Sequence, residues 1–242
     1  YSKKLVVEVG KKYNRRTLFR MKQFHNMFSD GKVSPLATQL TWSHYSELLS
    51  IKDINKLMYY INIAINNNLS KRELRDRIKS KEYERLDENT KNKLIKNETT
   101  EASDFIKNPI MIKNTLNKEI ISEKLLKQLI IENIIDFMKE LGSGYAFIDK
   151  EYKIKMGGKY NYIDLLLYSI EYSCYIVVEL KVVELKKEHI GQVLTYKNYI
   201  DNNLRKINQN ETIGIIISKK NNKYIMSYCT DNRIISREYK LF

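Results

Sequence analysis

Two acids and an amine carry the strongest chemical signal in this chain: Asp164 in "YNYIDLLLY", and Glu179 and Lys181 in "CYIVVELK". Both segments are apolar and β-rich, and period-two alternation puts Glu179 and Lys181 on one face of their strand with Leu180 on the other. If the two segments pair antiparallel about a turn centred near Glu171 and Tyr172, Asp164 sits opposite Glu179. Ionised groups in so apolar a setting are costly unless something compensates their lost hydration. A hard divalent cation does so, because Mg²⁺ takes a couple of carboxylates together with retained waters and phosphate oxygens. Asp164 and Glu179 are therefore the expected metal ligands, with Mg²⁺ as the cofactor and Mn²⁺ as its substitute. Such an ion activates water, and Lys181 either orients that water or stabilises charge on a phosphate, which suits phosphodiester hydrolysis. The simpler alternative for the same residues is a buried Glu179–Lys181 ion pair that caps a strand end.

The elements that must position these residues follow from apolar periodicity. A long helix is expected from about Ser122 to Leu141, followed by β-rich segments "YAFIDKEYKIKM", "YNYIDLLLY" and "CYIVVELKVV", a helix over 187–203, and two more β-rich segments, "TIGIIISK" and "KYIMSYCT". That order describes an α/β domain with a central mixed sheet. On the 187–203 helix, Gln192 and Tyr196 share a column apart from the expected apolar stripe of Ile190, Val193 and Leu194. They either contact substrate or the carboxylates, or form a plain surface pair.

The first half reads as all-helical. A short helix over 2–9 ends at Gly10, and a second runs from Asn14 as N-cap to Phe28, the spacing of a helix-turn-helix. In the second helix Leu18, Met21 and Phe28 are expected to face the core, while Arg16, Arg20 and Gln23 form a column able to reach DNA. An ordinary helical hairpin with a solvated basic face fits the same pattern. Further on, Ser70 and Glu73 make a capping box, with Leu69 and Leu74 as the hydrophobic staple. Residues 88–108 lose apolar periodicity and read as a linker, which divides the chain into a helical domain over 1–87 and an α/β domain over 109–242.

At this point the residues resemble a known family. Asp164 … Glu179-x-Lys181 is similar to the PD-(D/E)XK motif, with Ile163 in the place of the motif's proline, and Gln192-x-x-x-Tyr196 is similar to the Q-x-x-x-Y element of its RecB-like branch. The run from "ELGSGYAFIDKEYKIKM" through "IGQVLTYKNYID" resembles the YhcG-like bacterial family of PD-(D/E)XK nucleases. "LTWSHYSELLSI", "NNLSKRELRDRI" and "KEYERL" resemble that family's helical domain. The resemblance implies a helix-turn-helix or winged-helix-like DNA-binding domain, a restriction-endonuclease-like core and metal-dependent DNA cleavage. It also implies a further acid from the helix before the first strand. Glu132 and Glu140 both qualify, and Glu140, at the margin of the apolar stripe, is the expected one.

Composition agrees with a nucleic-acid partner. Hydrophobic residues make up 43% and charged residues 30%, and the net charge of +14 favours a polyanion. An abundance of Asn and Lys offers a blander source of that charge. No run approaches the about 20 apolar residues of a membrane span, so the protein is expected to be cytoplasmic. The chain opens at Tyr1 in a helical pattern, so its natural N-terminus is expected upstream. Cys174 and Cys229 lack zinc-site spacing and read as buried apolar residues. A homodimer is expected if both strands of a duplex are cut. The rival to an endonuclease is a catalytically silent binding or partner-recruiting protein that keeps the nuclease fold; the intact acids and lysine argue against it.

Overall fold

The computed structural model describes residues 2–28, 39–117 and 121–242. The chain divides into two compact units, Tyr1–Glu84 and Arg85–Phe242.

The first unit is helical: α1 (Ser2–Glu8), α2 (Arg15–Phe28), α3 (Trp42–Leu48), α4 (Ile54–Asn66) and α5 (Lys71–Lys79). Gly10, at φ 129°, ends the turn after α1, and Asn14 Oδ1 accepts from Thr17 N at 3.1 Å to start α2. Ser70 and Glu73 form the expected capping box on α5, and Leu69 and Leu74 are both buried. The core is built from Leu48, Leu57, Tyr60, Ile61 and Leu74. Along α2 the packing phase differs from expectation. Phe24 and Phe28 stack edge-on against Tyr45, whereas Met21 is 38% exposed. Arg16 and Gln23 are exposed and Arg20 is half-buried, so the expected column is not uniformly presented.

The second unit is α/β. It contains α6 (Glu88–Lys96), β1 (Ile110–Ile112), α7 (Glu123–Glu132), α8 (Ile134–Leu141), β2 (Tyr145–Met156), β3 (Lys159–Ser169), β4 (Cys174–Glu184), α9 (Lys187–Asn203), β5 (Ile213–Lys220), α10 (Lys223–Ser227) and β6 (Ile234–Leu241). The six strands form one mixed sheet in the order β1-β6-β5-β4-β3-β2, in which β2, β3 and β4 run antiparallel and β4, β5, β6 and β1 parallel. The fold class is thus a helical unit followed by an α/β unit with a central mixed sheet. β4 is apolar on both faces because it is covered on both. Val178 and Leu180 pack with Leu126, Leu129 and Ile130 of α7, while Val177 packs with Tyr196 and Ile200 of α9.

Four expectations are corrected here. The single helix over 122–141 breaks at Asn133, whose Nδ2 donates to Leu129 O at 3.1 Å and whose backbone (φ −123°, ψ 36°) leaves the helical region. "KYIMSYCT" is not a strand: Asn222 Oδ1 accepts from Ile225 N at 3.1 Å and opens α10 instead. The sheet's remaining strands are β6 and the three-residue β1. Residues 88–108 hold α6 and a 3-10 turn over Ala102–Phe105, and they join the second unit through polar anchors. Buried Arg237 of β6 donates to Ile106 O at 3.0 Å and to Asp87 Oδ2 at 2.7 Å, and buried Lys107 donates to the carbonyls of Lys139 and Glu140. Cys174 is buried as expected, but Cys229 is only half-buried.

No helix among the described residues is long and apolar enough to cross a membrane.

α9 is held close to the sheet by a fully buried lysine and by a glycine. Lys197 Nζ lies 2.9 Å from Asp231 Oδ2; burial acts to raise the Asp231 carboxyl, but its bonds with Lys197 and Arg233 outweigh this and hold it at about 2. At Gly214 of β5 an added Cβ would meet Val193 Cγ1 at 2.3 Å. Gly214→Ala is therefore expected to destabilise the chain by about 1–3 kcal/mol in urea unfolding. Gly191→Ala, with nothing within 4 Å on α9, is expected to be neutral or stabilising by up to about 1 kcal/mol. Equal costs at the two positions would contradict the close approach of α9.

Candidate active site

The site begins where β3 leaves β4. Their ladder runs from Ser169 opposite Cys174 to Leu165 opposite Val178, which centres the connecting turn between Glu171 and Tyr172. The next opposing positions in that register are Asp164 and Glu179. Past the last ladder pair, Leu180 N donates to the Asp164 side chain, Oδ2, at 2.9 Å. A backbone donor of β4 thus fixes the carboxylate of β3 at the point of divergence.

Two lysines face these acids. Lys127 of α7 lies 2.7 Å from Asp164 Oδ1 and 3.0 Å from Glu151 Oε1 of β2. Burial acts to lower the Lys127 ammonium, but the two carboxylates raise it and keep it charged. Lys181 lies 2.8 Å from Glu179 Oε1 and 3.9 Å from Glu123 Oε2 at the start of α7. Its ammonium is likewise raised, burial being outweighed first by Glu179. Glu179 is only 3% exposed, and its second oxygen, Oε2, is buried without a hydrogen-bond partner among the described residues. Burial first, and the charge of Asp164 second, push its carboxyl up to about 7.

An orphaned, desolvated carboxylate oxygen beside a second carboxylate is the donor set that a hard divalent cation completes with waters. Among the described residues no group of three or more His, Cys, Asp or Glu side chains could hold a metal ion, so a cage made wholly of protein side chains is not what this site offers.

The structure gathers Asp164, Glu179 and Lys181, and places the other expected residues differently. Glu140 is committed elsewhere. It pairs with Arg85 through both oxygens and accepts from Met111 N at 3.0 Å, so it anchors β1 rather than joining the acids. Glu132 accepts from Gln128 and Thr115. The helix acid beside Lys181 is Glu123, which follows the N-cap Ser122 and so reads in sequence as an ordinary first-turn acid. Its spacing of one helical turn from Lys127 was the available signal. His189 of α9 is a second residue not singled out. Burial and then Lys181 lower its imidazole, and its Nδ1 accepts from Lys186 N at 3.2 Å.

Gln192 Nε2 donates to Tyr196 Oη at 3.1 Å, but the pair does not stand apart from the apolar stripe. Tyr196 is 6% exposed and packs with Ile163, Leu166, Val177 and Ile200, while Leu194 is turned outward at 37%. The Tyr196 ring is therefore core and presents no face to nucleic acid; partly exposed Gln192 remains the accessible member.

A mixed α/β sheet with two acids and a lysine at the divergence of adjacent strands defines the class of the second unit, that of the PDDEXK nuclease domains. Residues 103–241 match the family model described as the YhcG PDDEXK nuclease domain, and the chain belongs to that family. Residues 1–85 match the DUF1016 N-terminal domain. YhcG of Escherichia coli (strain K12) is 24% identical over 218 residues, which cover 86% of this chain and 58% of that protein, so the chain spans less than two thirds of this relative. Among solved structures, a repair endonuclease from Pyrococcus abyssi is similar at 16% identity and a TM-score of 0.36, over 52% of this chain and 49% of that one. The EndoMS-dsDNA2 complex is similar at 16% identity and a TM-score of 0.35, over 53% of this chain and 48% of that one.

The strain at Glu179 has a pH signature. An unfolded glutamate ionises near about 4.3, while the folded chain keeps Glu179 protonated up to about 7. The stability it contributes is present in full below the unfolded value and is lost as pH rises through the folded one. With metal chelated, Glu179→Gln is expected to gain on the parent between about pH 4.3 and pH 7, by up to about 3 kcal/mol. Urea unfolding at pH 5 and pH 8 checks it. A stability difference that does not change with pH contradicts the burial of a carboxyl group with one oxygen left without a partner among the described residues.

Proposed function

We propose that this chain is a divalent-metal-dependent DNA endonuclease. The observation that carries the reading is the pair of half-buried Asp164 and buried Glu179 at the divergence of β3 and β4, with one oxygen of Glu179 unpartnered among the described residues and Lys181 alongside. Asp164 and Glu179 would hold Mg²⁺ or Mn²⁺. When bound, such an ion lowers the pKa of a water and offsets phosphate charge.

The remaining work falls to side chains of the chain itself. Lys181, kept charged by Glu179, donates to the attacking water or to a phosphate oxygen as negative charge builds there. Lys127 and Leu180 N hold Asp164 in one orientation by taking its two oxygens separately. Water supplies the oxygen of the new P–O bond and gives up a proton to bulk solvent, the P–O bond to the leaving sugar oxygen breaks, and that oxygen takes a proton back from solvent. Gln192, partly exposed and bonded to the Tyr196 hydroxyl, would contact substrate in this reading. The basic residues Arg16 and Arg20, with Gln23, supply the first unit's contact with DNA phosphates, which the net charge of +14 favours. A homodimer would bring two such centres to the two strands of a duplex at once. The activity is assigned to the cytoplasm.

Incubation of the full chain with supercoiled, linear and single-stranded DNA tests the reading. Cleavage is expected in Mg²⁺ or Mn²⁺ and not in EDTA. Glu179→Ala and Lys181→Ala are each expected to reduce it by at least about a hundredfold, with unchanged far-ultraviolet circular dichroism. Cleavage that persists in both variants removes the assignment.

A further inference from the structure

The strand pair β2–β3 continues past the point where β3 leaves β4, pairing out to Met156 and Lys159 across a turn at Gly157 and Gly158. The two faces of this extension differ sharply. Ile154 and Ile163 are buried, and Tyr152 and Met156 pack with them against Tyr196 and Ile200 of α9. The opposite face carries Lys153, Lys155, Tyr160 and Tyr162, all exposed, with the two tyrosine rings at 56% and 52%. The register sets Lys153 opposite Tyr162 and Lys155 opposite Tyr160. Alternation along β3 carries this face from Tyr160 through Tyr162 directly to Asp164.

Lysine on an edge strand also discourages sheet-to-sheet association, and β2 is an edge strand. That role accounts for the lysines and leaves two large exposed rings unexplained. The arrangement of the rings adds a further point. Lys153 Nζ sits 3.8 Å from the centroid of the Tyr160 ring, which holds the ammonium in place on the exposed face. Lys155 Nζ lies 5.9 Å from the same centroid, whereas the Tyr162 ring has no cation or ring contact of this kind among the described residues. Oriented ammonium groups next to an open aromatic face suit a polyanionic strand with unpaired bases: phosphates go to the lysines and a base to the ring. Bases inside a duplex are already stacked and offer no such face.

We propose that the exposed face of the β2–β3 extension is a binding surface for a single DNA strand, which it guides towards Asp164. Lys153 and Lys155 take phosphates, Tyr160 holds Lys153 in position, and Tyr162 stacks a base. The inference rests on the nuclease reading only for naming the strand as DNA and for its destination.

Binding of the full chain to a fluorescein-labelled single-stranded DNA oligonucleotide, read by fluorescence anisotropy in EDTA, tests this without any cleavage. Tyr162→Ala is expected to raise Kd roughly tenfold, and Tyr162→Phe, which keeps the ring, to leave it near the parent value. Lys153→Ala with Lys155→Ala is expected to raise Kd and to flatten the dependence of log Kd on log salt by about 0.7 for each lysine. The same charge removed elsewhere, by Lys96→Ala with Lys223→Ala, is expected to change neither quantity comparably. Unchanged single-strand affinity in the β2–β3 variants, a loss confined to a duplex of the same sequence, or no binding by the parent overturns the proposal. Strand binding that depends on these residues in a chain that cuts no DNA would sustain the surface while removing the nuclease reading.

Discussion

The second unit carries one electrostatic constraint that its fold must meet: the buried carboxyl of Glu179 beside the half-buried carboxylate of Asp164, where β3 parts from β4. Within the ladder, opposing positions are filled by Leu165 and Val178, and the strands are held by their own backbone bonds. One step further, apolar packing gives way to Asp164 and Glu179, and the fold has to satisfy two charges at the edge of a dry core. It does so unequally. Asp164 has both oxygens taken, by Lys127 and by Leu180 N, whereas Glu179 has one oxygen on Lys181 and the other without a partner among the described residues. A site that is incompletely satisfied in this way stores its free energy for a ligand that completes it.

The scaffold around that pair is closely packed. β4 is enclosed by α7 on one face and α9 on the other, and α9 is drawn in by Gly214 and by the buried Lys197–Asp231 pair. The lysines that balance the acids come from separate elements, Lys127 from α7 and Lys181 from β4 itself. Their positions therefore depend on the packing of the whole unit, and a change that shifts α7 also alters the charge balance around Asp164.

How much of this is legible in the sequence depends on the kind of signal. The β3–β4 register, the 187–203 helix and the Ser70–Glu73 capping box follow from short-range rules: alternation about a turn, helical periodicity and cap chemistry. Elements held by long-range polar bonds carry no such mark. The segment 88–108 looks like a linker because its anchors, Arg237 and Lys107, are charged residues that bury themselves only in the folded chain. The same limit explains the acids of the helices. Glu140 and Glu123 each lie near one end of what reads as a single helix, and only the break at Asn133 and the tertiary partners separate a structural anchor, bound to Arg85, from a neighbour of Lys181. Tyr196 misleads in another way, since an amphipathic side chain can bury its ring in the core and still present its hydroxyl to Gln192.

The central claim is that Asp164 and Glu179 act as one binding site for a divalent ion, and direct titration of the full chain with Mn²⁺, followed by electron paramagnetic resonance of the free ion, tests it most directly. The account predicts saturable binding by the parent that is lost in Asp164→Asn and in Glu179→Gln while both variants remain folded. Binding that is undiminished in both variants, or a parent that takes up no ion, would contradict it.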